Sequence, residues 1–217
     1  MGIEDVSMLF TFIGGLGMFL YGMHIMAEGL QHFAGGRMQK LMGFLTQNRI
    51  MAILVGTLVT AVIQSSSATT VMVVGFVNAG MLNLSQAVGV IMGANIGTTV
   101  TAWIVSMSEW GSLLKPEFFA PLLVGIGAFV VLFAKSDKKK RVGEILIGFA
   151  ILFIGLTFMS DAILPYRESP VFSGAFTVLG KNPILAVLAG AVVTAIIQSS
   201  SASVGILQTL AMNGIVG

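Results

Sequence analysis

Two tetrads carry dense hydrogen-bonding chemistry inside apolar stretches: Gln64-Ser65-Ser66-Ser67 within "AVIQSSSATT" and Gln198-Ser199-Ser200-Ser201 within "AIIQSSSASV". Three consecutive serines on a regular helix point about 100° apart and cannot share one face. At a helix break they can converge together with free backbone N–H groups. Ser67-Ala-Thr and Ser201-Ala-Ser read as helix starts, where hydroxyls cap the first turn. A helix N-terminus attracts anions through its N–H groups and its dipole. Gln64 and Gln198 add amide donors and acceptors. Left unpaired in apolar surroundings, such groups cost roughly 1–3 kcal/mol each, so a ligand is expected to satisfy them. No Lys or Arg lies beside either tetrad. An oxyanion held by neutral donors alone carries a large desolvation penalty. Sodium ions beside it would supply the missing charge, and hydroxyl, amide and carbonyl oxygens suit a hard cation. Each ion then eases the burial of the other, and that linkage is reciprocal.

A third polar cluster, "GANIGTTVTA" from Gly93 to Ala102, is expected to interrupt the apolar span Leu84–Met107. Gly93 and Gly97 would loosen the helix there, and Asn95, Thr98, Thr99 and Thr101 offer oxygens. Glu28 and Asp161 are acids set within spans near helix ends, where they reach water. His24 precedes Glu28 by four residues and is expected to pair with it. The chain has no cysteine and only two histidines, His24 and His32, so it offers no transition-metal site and calls for no cofactor. An intramembrane serine protease would need a base near its serine, and neither tetrad has a histidine near it in sequence, so the chain reads as no enzyme.

These polar groups sit in a chain that is 56% hydrophobic and 9% charged, with a mean hydropathy of +0.97. Soluble domains carry about 25% charged residues, so this is an integral membrane protein with the lipid bilayer as its solvent. No charge falls between residues 50 and 108. The basic residues lie in short loops without a stripe, which argues against nucleic acid as a partner. The start "MGIEDVS" is acidic where a cleavable signal is basic, and Val6 breaks the myristoylation pattern.

About 20 apolar residues cross a bilayer as a helix. Met8–Ala34, Leu84–Met107, Phe118–Ala134 and Val142–Leu164 qualify, the third being short. Ile50–Leu82 is too long for one span, and split at its tetrad it leaves two arms too short to cross. A re-entrant hairpin with the tetrad at its tip fits both lengths, provided protein or water covers the tip. That reading also places both basic loops, 37–49 and 135–141, in the cytoplasm and the 109–117 loop outside.

A shift of 134 residues lays Asn48–Gly80 on Asn182–Gly214 with 15 identities in 33 positions. Upstream, a shift of 133 pairs Gly22 with Gly155, Met26 with Met159 and Glu28 with Asp161. Copies separated by an odd number of crossings must be inverted, an arrangement typical of secondary transporters. The expected fold is therefore an all-α polytopic membrane protein of inverted-topology repeats, each with a transmembrane helix and a re-entrant QSSS hairpin. Repeat 1 covers 1–107, a linking span and basic loop 108–141, and repeat 2 covers 142–217.

With those motifs in place, the chain resembles the type II sodium-dependent phosphate cotransporter family. Its hallmark is a pair of QSSS motifs in inverted repeats followed by G-x-N-I-G-T, matched here by Gln64–Ser67, Gln198–Ser201 and Gly93–Thr99. The resemblance implies sodium-coupled phosphate symport by alternating access in a bacterial cytoplasmic membrane. Phosphate would be held by Gln64, Ser65, Ser66, Ser67, Gln198, Ser199, Ser200 and Ser201, and Na+ by Thr69, Asn95, Thr98, Thr99 and Ser203. Relatives often continue into a PhoU-like helical domain, and a second G-x-N-I-G-T is expected near residue 229, past Gly217. Two details depart from the family pattern. Trp110-Gly111-Ser112 stands where electrogenic members carry Ala-Gly-Asp, and V-T-N-T reads Val100-Thr101-Ala102-Trp103. The alternative role is a membrane scaffold or channel-like component of a phosphate-sensing system.

Overall fold

A computed structural model describes residues 2–34, 48–107, 115–166, 169 and 181–215. All regular elements among them are helices. In chain order these are α1 (Ile3–Ala34), α2 (Arg49–Ile63), α3 (Ser66–Asn78), α4 (Leu84–Ser106), α5 (Pro116–Phe133) and α6 (Asp137–Ile163), a 3₁₀ turn (Leu164–Tyr166), α7 (Pro183–Ile197) and α8 (Ser200–Met212). The first basic loop (35–47), the acidic loop from 108 to 114 and the 167–168 pair lie outside the described residues.

Among the described residues three helical stretches are long and apolar enough to cross a membrane: Ile3–His32, Leu84–Ser106 and Asp137–Tyr166. The expected span at Phe118–Ala134 forms α5, but only as a shorter apolar helix. Its 18 residues reach about 27 Å, just under a typical hydrocarbon thickness.

The 50–82 stretch splits where expected. Asn48 caps α2 by accepting from the Ile50 N–H at 3.0 Å. The helix ends at Gln64, and α3 begins two residues later. The Thr60 hydroxyl donates to the Thr69 hydroxyl at 3.0 Å. Nine residues of continuous helix would separate these groups by about 13.5 Å, so the chain reverses between them and the arms form a hairpin. The same construction recurs in α7 and α8, with Asn182 as cap, the break at Gln198 and a Thr194–Ser203 hydroxyl bond of 3.0 Å. Gly80 and Gly214, matched by the repeat, end the two hairpins with φ of +69° and +66°, a conformation that glycine adopts without steric cost.

The chain divides into two compact units, each holding one tetrad. One comprises Met1–Met23, Val105–Val124 and Gly148–Gly217, the other His24–Ile104 and Gly125–Ile147.

In the second unit α4 runs unbroken from Leu84 to Ser106, which corrects the expected interruption at "GANIGTTVTA". The glycines serve contact instead of a break. A methyl group on Gly93 would collide with the Ile53 carbonyl, and one on Gly97 would lie 2.5 Å from the Thr57 carbonyl. Gly56 returns the contact, with no room for a side chain against the Val90 carbonyl. Between apolar helices in lipid, such close backbone approach replaces the hydrophobic driving force that water would supply. Around it, Ala52, Val55, Val59, Ile63, Val73, Leu82, Ala87 and Val90 form one core.

In the first unit, α1 and α6 cross at glycines. A methyl on Gly15 would lie 2.8 Å from the Gly155 carbonyl, and one on Gly22 would lie 2.6 Å from the Gly148 carbonyl. Rising numbers on α1 meet falling numbers on α6, so the helices run antiparallel. Tyr166 agrees, donating to Asp5 at 2.9 Å. Phe19 is fully buried, with its ring against Gly205 of α8.

The two hairpins differ in cover. Ala52, Val55, Gly56, Val59, Thr60 and Ile63 of α2 are buried, whereas α7 buries no residue. Gly190, the counterpart of Gly56, has nothing within 4 Å of an added methyl. Gly56→Leu is expected to lower stability by about 1–3 kcal/mol through overpacking, while Gly190→Leu stays within about 0.5 kcal/mol. Thermal melts of the purified protein in detergent measure both.

Candidate functional site

Gln64 closes α2 with φ 57° and ψ 23°, and Gln198 closes α7 with φ 57° and ψ 24°. These are the only described non-glycine residues with positive φ. A side chain in this left-handed conformation costs roughly 1–2 kcal/mol, which is why glycine or asparagine usually stands there. Both copies carry glutamine. Its backbone N–H still bonds the last turn, to Thr60 O at 2.7 Å and to Thr194 O at 2.8 Å.

Ser65 then takes an extended conformation and caps α3, its hydroxyl accepting from the Ala68 N–H at 3.1 Å. Ser199 does the same for Ala202 at 3.2 Å. The helices thus start two residues earlier than the Ser67-Ala-Thr and Ser201-Ala-Ser reading placed them. The consequence is chemical. Ser66 and Ser67 occupy the first two positions of α3, where backbone N–H groups have no intrahelical partner. Their hydroxyls make no hydrogen bond among the described residues, and the same holds for Ser200 and Ser201 in α8. Each break therefore presents two N–H groups, two hydroxyls and the positive end of a 13-residue helix dipole. Residues 50–108 and 182–217 contain no charged side chain to compete with or neutralise a bound ion.

The candidate cation ligands fall into two groups. Thr69 and Ser203 lie inside the hairpins. Thr69 donates to Ser65 O and accepts from Thr60, and Ser203 donates to Ser199 O and accepts from Thr194. Each hydroxyl bridges the two arms beside the tetrad. Among the described residues Asn95, Thr98 and Thr99 make no hydrogen bond to the first tetrad. Asn95 and Thr99 are exposed on the side of α4 away from its buried Ala94, Gly97 and Thr101, while Thr98 donates back to Ala94 O at 3.0 Å.

Three further residues contact the first break, Thr101 among those whose oxygens the sequence singled out. Thr60 makes the hydroxyl bridge, Gln31 of α1 donates to Ile63 O at 3.0 Å, and Thr101 donates to the Gln64 side-chain oxygen at 2.7 Å. Thr60 had a legible signal, since Thr60 and Thr194 stand four residues before each glutamine. Gln31 and Thr101 act across distant segments, and only packing reveals them. Glu28 lies 3.8 Å from His32 instead of pairing with His24, because the side chain one turn further along is the nearer partner. Among the described residues no cluster of three metal-ligating side chains exists.

The described residues thus combine membrane-length helices with paired, charge-free breaks that present hydrogen-bond donors, as in a membrane protein that handles ions. A family model described as Na+/Pi-cotransporter matches residues 18–161, more than half of the chain. The chain belongs to that family. It is 29% identical over 209 residues to the Bacillus subtilis protein YqeW, covering 96% of this chain and 66% of that one. It is 28% identical over 208 residues to Escherichia coli K12 YjbB, which is provisionally named for inorganic phosphate export, covering 96% and 37% respectively. Against human sodium-dependent phosphate transport protein 2B the identity is 32% over 118 residues, covering 53% and 17%. The chain therefore spans between about a third and two thirds of the length of its bacterial relatives. No solved structure matches significantly.

Gln198→Gly tests the backbone strain. Relief of the left-handed conformation should leave the melting temperature of the purified protein unchanged or raised. A lowered melting temperature would contradict the strain assigned to this position.

Proposed function

We propose that the chain forms the core of a sodium-coupled phosphate symporter of a bacterial cytoplasmic membrane. Phosphate is held by the two tetrads, with Na+ alongside it. The observation that carries this reading is the duplicated break. Left-handed glutamine, capping serine and two serines with unpaired donors recur at matched positions, with no charged side chain in either segment.

Neutral donors alone would bind a multiply charged anion poorly in a low-dielectric setting, so a cation must enter with it. The bridging hydroxyls of buried Thr69 and half-buried Ser203, each beside the anion donors, are the ligands best placed to accept Na+. Asn95 and Thr99 would join them only in a state where another face of α4 meets the ion.

Alternating access finds support in the α1–α6 crossing. The shift of 133 that aligns the repeats maps Gly15 to Gly148 and Gly22 to Gly155. Gly15 meets Gly155, and Gly22 meets Gly148. Each partner thus contacts the counterpart of the other, the signature of a two-fold relation. The antiparallel run of the two helices is consistent with a two-fold axis across them, the arrangement that inverted-topology repeats would have. Export and uptake, suggested by the names of different relatives, are then one cycle run in the direction the ion gradients set.

Proteoliposomes holding the protein should accumulate ³²P-phosphate under an inward Na+ gradient and stay at background with K+ in its place. Equal rates in the two salts would remove the coupling and favour the scaffold reading. Ser66→Ala and Ser200→Ala should each weaken phosphate binding roughly tenfold to a hundredfold, the usual worth of a hydrogen bond to a charged group.

A further inference from the structure

Most threonines on these helices spend their hydroxyl locally. Thr57, Thr70, Thr98, Thr157 and Thr209 donate to the carbonyl four residues back, and Thr99 to the one three back. Thr101 does not. It is 3% exposed, and its hydroxyl reaches across to the Gln64 side-chain oxygen at 2.7 Å. The approach depends on the glycine stripe. Gly97 stands one turn before Thr101 and lets α4 lie against Thr57 and Thr60, one turn before Gln64.

The opposite end of the Gln64 amide is also fixed. It meets the Ala61 carbonyl, which can only accept. The amide nitrogen must therefore stand at that end, the amide oxygen must face Thr101, and Thr101 must be the donor. One N–H of Gln64 bonds Ala61, and the second N–H is left for a ligand.

We propose that Thr101 is a specificity-determining positioning residue: by holding the amide oxygen of Gln64 toward itself, it keeps that oxygen turned from the site and leaves the free N–H of Gln64 as a donor toward an oxyanion. This rests on the phosphate reading of the tetrad and assigns Gln64 to the anion alone. Without Thr101 the amide oxygen loses its donor, and a side-chain rotation that gives up the remaining Ala61 bond brings that oxygen to the site, where it repels phosphate oxygens.

The test compares wild type, Thr101→Val and Thr101→Ser in proteoliposomes, with Na+-driven ³²P-phosphate uptake measured over a range of phosphate and of Na+. Valine keeps the shape and removes the donor, whereas serine keeps the donor. The expected result is a phosphate KM raised about tenfold in Thr101→Val, with maximal rate and Na+ midpoint unchanged, and a KM restored by Thr101→Ser. Thermal melts of the single and double variants of Thr101→Val and Gln64→Ala should show non-additive effects, marking the bond without reference to transport. An unchanged phosphate KM in Thr101→Val, a loss confined to maximal rate, failure of serine to restore KM, or additive melts would each overturn the proposal. If wild type itself shows no Na+-dependent phosphate uptake, the functional reading falls and this inference falls with it. An active wild type with an indifferent Thr101→Val sinks this inference alone.

Discussion

A glutamine held in a left-handed turn between two helix ends is the constraint on which the rest of the structure depends. At Gln64 and Gln198 the backbone accepts roughly 1–2 kcal/mol of strain that glycine would avoid. In exchange the chain reverses within two residues, the next helix starts at serine, and two donor-rich positions emerge unpaired. Strain of this kind persists where the surroundings over-determine it, and it concentrates at functional sites. The surroundings here are specific. The Thr60–Thr69 and Thr194–Ser203 bridges clamp the arms, and Asn48 and Asn182 cap the entering helices.

Packing in lipid then explains the glycines. Gly56, Gly93 and Gly97 bring α2 and α4 into backbone contact, and Gly15, Gly22 and Gly155 do the same for α1 and α6. Large side chains are buried alongside, Phe19, Leu152 and Leu156 at one crossing and Val59 and Val90 at the other. Both crossings rely on close approach, which a single added methyl group would block. The same stripe that packs α4 also delivers Thr101 to Gln64, so helix association and site geometry have one cause.

Much of this was legible in the residues themselves. The tetrads marked the breaks because three adjacent serines cannot share a helix face, and the repeat announced that the second hairpin would copy the first. The helix starts were misplaced by two residues because serine caps as well at the first position of the run as at the last. The continuity of α4 was missed because glycine signals flexibility and close packing with the same letter. Only the contact with Ile53 and Thr57 distinguishes the two. Gln31 and Thr101 were illegible as partners of the first break, since their neighbours are set by tertiary contact across more than thirty residues.

The central claim is that both breaks bind one kind of anion and need a cation to do so. The chain has no cysteine, so Ser66→Cys and Ser200→Cys each introduce a single thiol. The direct measurement is the rate at which each thiol reacts with a small charged thiol reagent in purified protein, with and without phosphate, in Na+ and in K+. The account predicts that phosphate slows labelling at both positions in Na+ and at neither in K+. Protection that is indifferent to the cation, or confined to one of the two positions, would contradict it.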